Sequence, residues 1–189
     1  MQKRKALGDT LTGGTRDVNP QYMHGTLTLS AANTATTVTV GTPIVRVGNG
    51  ANQGKAVIME VLKVFADLPV IDLDNAAATV RNITLAFTTV DPSTTAVQFD
   101  NSRCFAWLQR QVRNAFTAAG TGQLDVDESP AVFDCTDGAG HGVLIATDNI
   151  YVQGITSNQT AASAFRWKIL YRFKEVSLVE YIGIVQSQQ

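Results

Sequence analysis

From His24 onward the hydrophobic positions of this chain alternate with polar ones instead of recurring every three or four residues. Leu27 and Leu29, Val38 and Val40, and Val45 and Val47 are each separated by a single residue. A period of two is what a strand with one face against a core requires, and here it predicts a long, interrupted first strand. Residues 55–66, KAVIMEVLKVFA, are apolar almost throughout, and Val57, Val61, Val64 and Phe65 favour a central strand over a helix. Residues 67–78 read as a connection, 80–90 as the next strand, and 119–130 as a Gly/Asp-rich loop. Short strands follow around 132–135, 142–147 and 150–156, with turn chemistry at Asp137-Gly138 and Asp148-Asn149. Residues 103–117 fit a helical stripe through Phe105, Leu108, Val112 and Phe116 and also alternate, so period alone leaves them open.

The C-terminal third has the cleanest pattern. Phe165, Trp167, Ile169, Tyr171 and Phe173 fall on one face, and Arg166, Lys168, Arg172 and Lys174 on the other, an alternation no helix gives. The apolar run at 178–185 predicts a final strand. Seven to nine strands without helix-strand alternation imply two packed antiparallel sheets, a β-sandwich or jelly roll.

Composition supports an all-β chain. Thr, Val and Ile number 22, 20 and 10, so 52 of 189 residues are β-branched, the class that packs well on pleated sheets. Charged residues make up 16%, against about 25% in an ordinary soluble domain. A surface so poor in charge suits a subunit much of whose exterior becomes interface. The net charge of −1 excludes a globally basic nucleic-acid binder, so any contact with nucleic acid must be local. No apolar run is long enough for a membrane helix, and the opening residues MQKRKALGDT lack the apolar core of a signal peptide. Cys104 and Cys135 are too few for a disulfide framework, which predicts a reducing compartment, and the sequons at Asn82 and Asn158 then read as chance matches.

Candidate chemistry is sparse. The chain has two histidines, His24 and His141, the latter four residues after Asp137, but no G-x-S-x-G elbow supplies a nucleophile and no catalysis is predicted. Asp125, Asp127, Glu128, Asp134 and Asp137 form an acidic stretch that could hold calcium, yet their spacing matches no EF-hand and a solvated loop is the simpler reading. No metal or cofactor is assigned. Residues 1–23 show neither hydrophobic period and read as a flexible arm, in which Lys3, Arg4, Lys5 and Arg16 can neutralise phosphates without reading sequence. The face bearing Arg166, Lys168, Arg172 and Lys174 is a second cationic candidate, or simply a strand kept soluble by charge. Trp167 and Tyr171, facing the opposite side, are read as core residues and not as a base-stacking platform.

Four segments carry a resemblance. GGTRDVNPQ at 13–21, GKAVIMEVLKVF at 54–65, CTDGAGHGVLIATDNIYVQ at 135–153 and ILYRFKEVSLVEYIGIVQSQQ at 169–189 resemble, in order and across nearly the whole chain, the capsid proteins of small circular single-stranded DNA viruses, environmental relatives of circoviruses. The resemblance implies an arm at 1–23 and a jelly-roll domain at 24–189, built as two four-stranded antiparallel sheets with 103–117 as strand and helical turns only in loops. It implies a virion protein that is not an enzyme, assembled inside the host cell, in nucleus or cytoplasm. Copies would form an icosahedral, virus-like shell of about 60 around single-stranded DNA, with no membrane and an unidentified host receptor. The nucleic-acid role falls on Lys3, Arg4, Lys5 and Arg16, fewer cations than the arginine-rich arms common among such proteins. A reading from a different class is a β-sandwich module that binds carbohydrate through calcium on the acidic stretch.

Overall fold

The computed structural model describes residues 19–29, 34–44, 54–69, 71, 79–116, 122–127, 132–159 and 162–188. They form ten strands and one helix in the order β1 (Gln21–Thr28), β2 (Ala35–Gly41), β3 (Lys55–Asp67), β4 (Thr79–Thr88), β5 (Cys104–Phe116), β6 (Gly122–Asp127), β7 (Val132–Asp134), β8 (Val143–Ile145), β9 (Asn149–Ser157), β10 (Ala164–Ser177) and α1 (Leu178–Gln188). One sheet has the order β1-β10-β3-β7, with β8 also on β3, and the other has β2-β9-β4-β5-β6. Every pairing is antiparallel.

The pairings are nested. The first strand pairs with the last, the second with β9, the third with β7 and β8, and β4 with β5, as in a long hairpin folded over on itself. Successive halves of that hairpin fall in alternate sheets, which is the jelly roll. Each sheet has five strands instead of the expected four. In the first sheet, β7 and β8 lie end to end along β3, opposite 63–65 and 59–61, and share one position. In the second, β6 pairs with β5 within the stretch expected to be loop.

The core lies between the sheets. Val61, Val64, Ile169 and Phe165 from the first meet Ile83, Leu85, Phe87, Leu108 and Val152 from the second, all at most 3% exposed. Phe87 is the aromatic hub, 5.9 Å from the Trp167 ring edge-on and 6.0 Å from Phe105. Trp167 is accommodated by Gly25 directly across the strand pair, where any Cβ would overlap its ring. Trp167 and Tyr171 are thus core residues, as the alternation predicted.

Two sequence expectations need correction, and one reading left open by period is decided. The alternation from His24 belongs to two strands in different sheets, and β1 already starts at Gln21, so residues 21–23 pair with β10 and are not part of an arm. Within 103–117, which period alone left open, Cys104–Phe116 form strand β5, paired to β4 over ten residues, as the resemblance implied. The largest error is 178–185, which is helix α1 and not a strand. Ser177 caps it, its Oγ accepting the Glu180 N–H at 3.2 Å, while the Leu178 N–H donates to Gly54 O. Tyr181, Ile184 and Val185 then share one helical face and pack on Ala56, Ile58, Ala146 and Val176. Gln188 completes that face, accepting the Ala146 N–H and donating to Leu144 O. Replacing Ser177 by Ala should lower stability by about 1 kcal/mol in thermal or urea unfolding, the usual worth of a serine cap.

Candidate functional site

A sandwich has two outer faces, and here they are finished differently. Over the second sheet, the connection from β4 to β5 folds back across the strands. Gln153, fully buried on β9, pins it: its Oε1 accepts the Val97 N–H at 2.8 Å, and its Nε2 donates to Thr95 O at 3.0 Å and to Thr37 Oγ1 at 3.2 Å. Phe99, at the far end of that connection, stacks edge-on against Trp107 yet stays 66% exposed.

Over the first sheet, one end is covered by α1 and by the loop leading into β8. Glu60, wholly buried on β3, organises this end. Its Oε2 accepts from Arg172 Nε at 2.6 Å and its Oε1 from the Gly142 N–H at 2.8 Å, and the same guanidinium donates to Gly140 O. Burial alone would raise the Glu60 pKa, but the Arg172 hydrogen bond, the Gly142 amide and the charges of Arg172 and Lys174 hold it below its ordinary value. His141 lies in this loop. Its ring nitrogen Nδ1 is 3.0 Å from Asp137 Oδ2, and Asp137 Oδ1 accepts the backbone N–H groups of His141 and Ala139. The pair is a self-contained, exposed turn, and among the described residues no serine, threonine or cysteine is hydrogen-bonded to the imidazole.

Among the described residues, the other end of the first sheet is lined only by its own strands. The register places His24, Lys168 and Phe65 side by side across β1, β10 and β3, with Thr26, Arg166 and Asp67 as the adjoining row. Between them lies an open groove of about 500 Å³, floored by Gly25, Ala66 and Trp167 and flanked by Val132. Tyr22 borders it, 53% exposed, with its ring centroid 6.5 Å from that of Phe65. Lys168 Nζ sits 3.9 Å above the Tyr22 ring. Arg166 faces Asp67 at 3.5 Å, both side chains more than 70% exposed, a pairing of little energetic consequence.

The predicted nucleic-acid residues Lys3, Arg4, Lys5 and Arg16 lie outside the described residues. The second cationic candidate divides: Arg172 is committed to Glu60, whereas Arg166 and Lys168 border the groove. Sequence reading missed Tyr22 and Phe65 as their neighbours, because only strand pairing brings residues so distant in the chain together. In the acidic stretch, Glu128 and the side chains of Asp125 and Asp127 lie outside the described residues. Asp134 accepts from the Thr136 hydroxyl and N–H and faces Lys63 at 3.1 Å, interactions that hold its pKa down at about 2. Among the described residues no group of three or more His, Cys, Asp or Glu converges as metal ligands. Cys104 and Cys135 are free thiols whose pKa values are raised by burial, that of Cys135 to about 12, and neither is an activated nucleophile.

No family model and no curated protein matches this chain. Solved structures similar to it include the VP1 protein of Merkel cell polyomavirus in complex with disialyllactose, at TM-score 0.45 and 8% identity, covering 87% of this chain and 97% of that one. Human polyomavirus 12 VP1 in complex with 3'-sialyllactosamine gives TM-score 0.43 at 8% identity, over 83% and 100% of the two chains. VP1 of the trichodysplasia spinulosa-associated polyomavirus gives 0.41 at 11%, over 83% and 96%. At such scores the jelly-roll assignment rests on the strand order described above.

Proposed function

We propose that this chain is a viral capsid subunit, whose copies associate into an icosahedral shell of about 60 around a single-stranded DNA genome. The observation that carries this reading is the nested strand order. It is the jelly roll that the resemblance to circovirus-like capsid proteins implied, reached from backbone pairing without reference to that resemblance. Three surface features support it further. Among the described residues, strands β1, β7, β2 and β6 end their sheets with one neighbour each, hydrogen-bonding edges that a closed assembly can cover. Phe99, Val179 and Ile182 are 66%, 82% and 48% exposed, a cost for an isolated subunit that burial between copies removes. The chain also carries little charge to oppose close packing of copies. In this reading the residues before β1 form an arm, Lys3, Arg4, Lys5 and Arg16 contact the nucleic acid without sequence preference, and the protein resides in the virion after assembly in the host nucleus or cytoplasm. Its role is structural and not enzymatic.

The calcium and carbohydrate module gains less. Asp134 and Asp137, the acids of that stretch with described side chains, are engaged by Lys63, Thr136 and the 139–141 turn.

Sedimentation velocity on the purified chain, read at two wavelengths, tests the proposal. The expected result is one fast boundary of megadalton size with a nucleic-acid absorbance ratio, and deletion of residues 1–18 should lower that ratio while the particle persists. A slow boundary near the 20.3 kDa monomer across salt and pH overturns it.

A further inference from the structure

We infer that the grooved end of the first sheet is a stacking platform for single-stranded nucleic acid, with bases on Tyr22 and Phe65 and phosphates on Lys168 and Arg166. The inference rests on the capsid reading for its biological setting and on the surface itself for its chemistry. Sheet faces that bind single strands combine flat aromatic rings, which stack on any base, with cations that track the backbone. Here two rings with centroids 6.5 Å apart stand on one face with Lys168, and Arg166 is two residues away on the same strand.

Two observations favour nucleic acid over another protein as the occupant. Lysine is depleted from the centres of protein interfaces, yet Lys168 occupies the middle of the row between His24 and Phe65. The covered parts of both outer faces are closed by the chain's own apolar side chains and by polar groups that bond one another, whereas this end is rimmed by groups free to exchange partners. The Arg166 to Asp67 pair is exposed, and Lys168 rests on the Tyr22 ring by a cation-π contact. A base can replace the ammonium on that ring while Lys168 turns to the adjoining phosphate.

The test is fluorescence anisotropy of labelled oligothymidine on the full chain, paired with photocrosslinking of an iododeoxyuridine oligonucleotide to the unaltered protein. Tyr22→Ala and Phe65→Ala are each expected to weaken binding about tenfold, the loss of one stacked base. Lys168→Gln should reduce the slope of log affinity against log salt by about 1, and crosslinks should map to residues 21–28 or 63–67. Binding unchanged in the Tyr22→Ala, Phe65→Ala double variant overturns the inference, as do crosslinks confined to other segments. The crosslink map decides the matter even if the double variant fails to fold. A chain that stays monomeric but crosslinks at Tyr22 overturns the shell and keeps the platform; particles whose crosslinks lie elsewhere do the reverse.

Discussion

Replacing Arg172 by Ala should destabilise the fold by about 3 kcal/mol or more, because it strands the Glu60 carboxylate in a site with no exposure to water. Glu60→Gln should cost less. The amide oxygen can still accept the Gly142 N–H, and the guanidinium left behind belongs to a side chain 24% exposed that retains Gly140 O as an acceptor. The two variants also differ in their response to pH. In the native protein the Glu60 pKa lies below its ordinary 4.5, so its contribution is fully present above that value and is lost as pH falls through the lower folded one. Without Arg172 the largest remaining influence is burial, which raises the pKa, so the variant gains relative stability as the carboxyl protonates. Urea unfolding at pH 7 and pH 4 should therefore show the Arg172→Ala penalty shrinking in acid. An equal penalty at both values would show that the pair contributes packing and not charge.

Gln153→Ala should have the next largest effect, about 2 to 3 kcal/mol, because it leaves several buried partners unsatisfied at once. The Val97 N–H and the Thr95 carbonyl both depend on this amide, and Val97 itself is 4% exposed. The damage should be local as well as global. Limited proteolysis should cut the variant within 91–101 well before the native protein, while the core strands remain protected, since this connection is held to the sheet from one side only. Gln153→Leu, which restores volume without hydrogen bonds, should not restore resistance.

Glu60 and Gln153 do the same work on opposite faces of the sandwich. Each is a buried polar side chain on an inner strand that turns outward and fastens a long connection across its own sheet. Among the described residues, the surfaces these connections leave open include the groove beside Tyr22, Phe65 and Lys168 and the apolar positions at Phe99, Val179 and Ile182. In the proposed reading the first takes a charged, flexible polymer and the others take copies of the chain.

The alternation of Phe165, Trp167, Ile169, Tyr171 and Phe173 with basic residues was enough to identify β10 and its core face, since period two is a property of the strand itself. The excess of Thr, Val and Ile pointed to an all-β chain for an equally local reason, the fit of branched side chains to a pleated surface. Helix α1 was readable too. Ser177 and Glu180 stand three apart ahead of Tyr181, Ile184 and Val185, a capping signature followed by helical spacing, but the unbroken apolar run obscured it.

What the chain pattern could not decide was every feature that depends on which strands become neighbours. The pairing of Lys168 with both His24 and Phe65, the burial of a glutamate at position 60 and the opening of Gly25 to the Trp167 ring all join residues far apart in sequence. Periodicity records which face of a strand is apolar, an interaction between each residue and solvent. It holds no record of register between strands, which is set by the summed packing and hydrogen bonding of the whole sheet. The fold class was therefore a property of the sequence read locally, whereas the candidate site came into being only when β1, β10 and β3 were laid side by side.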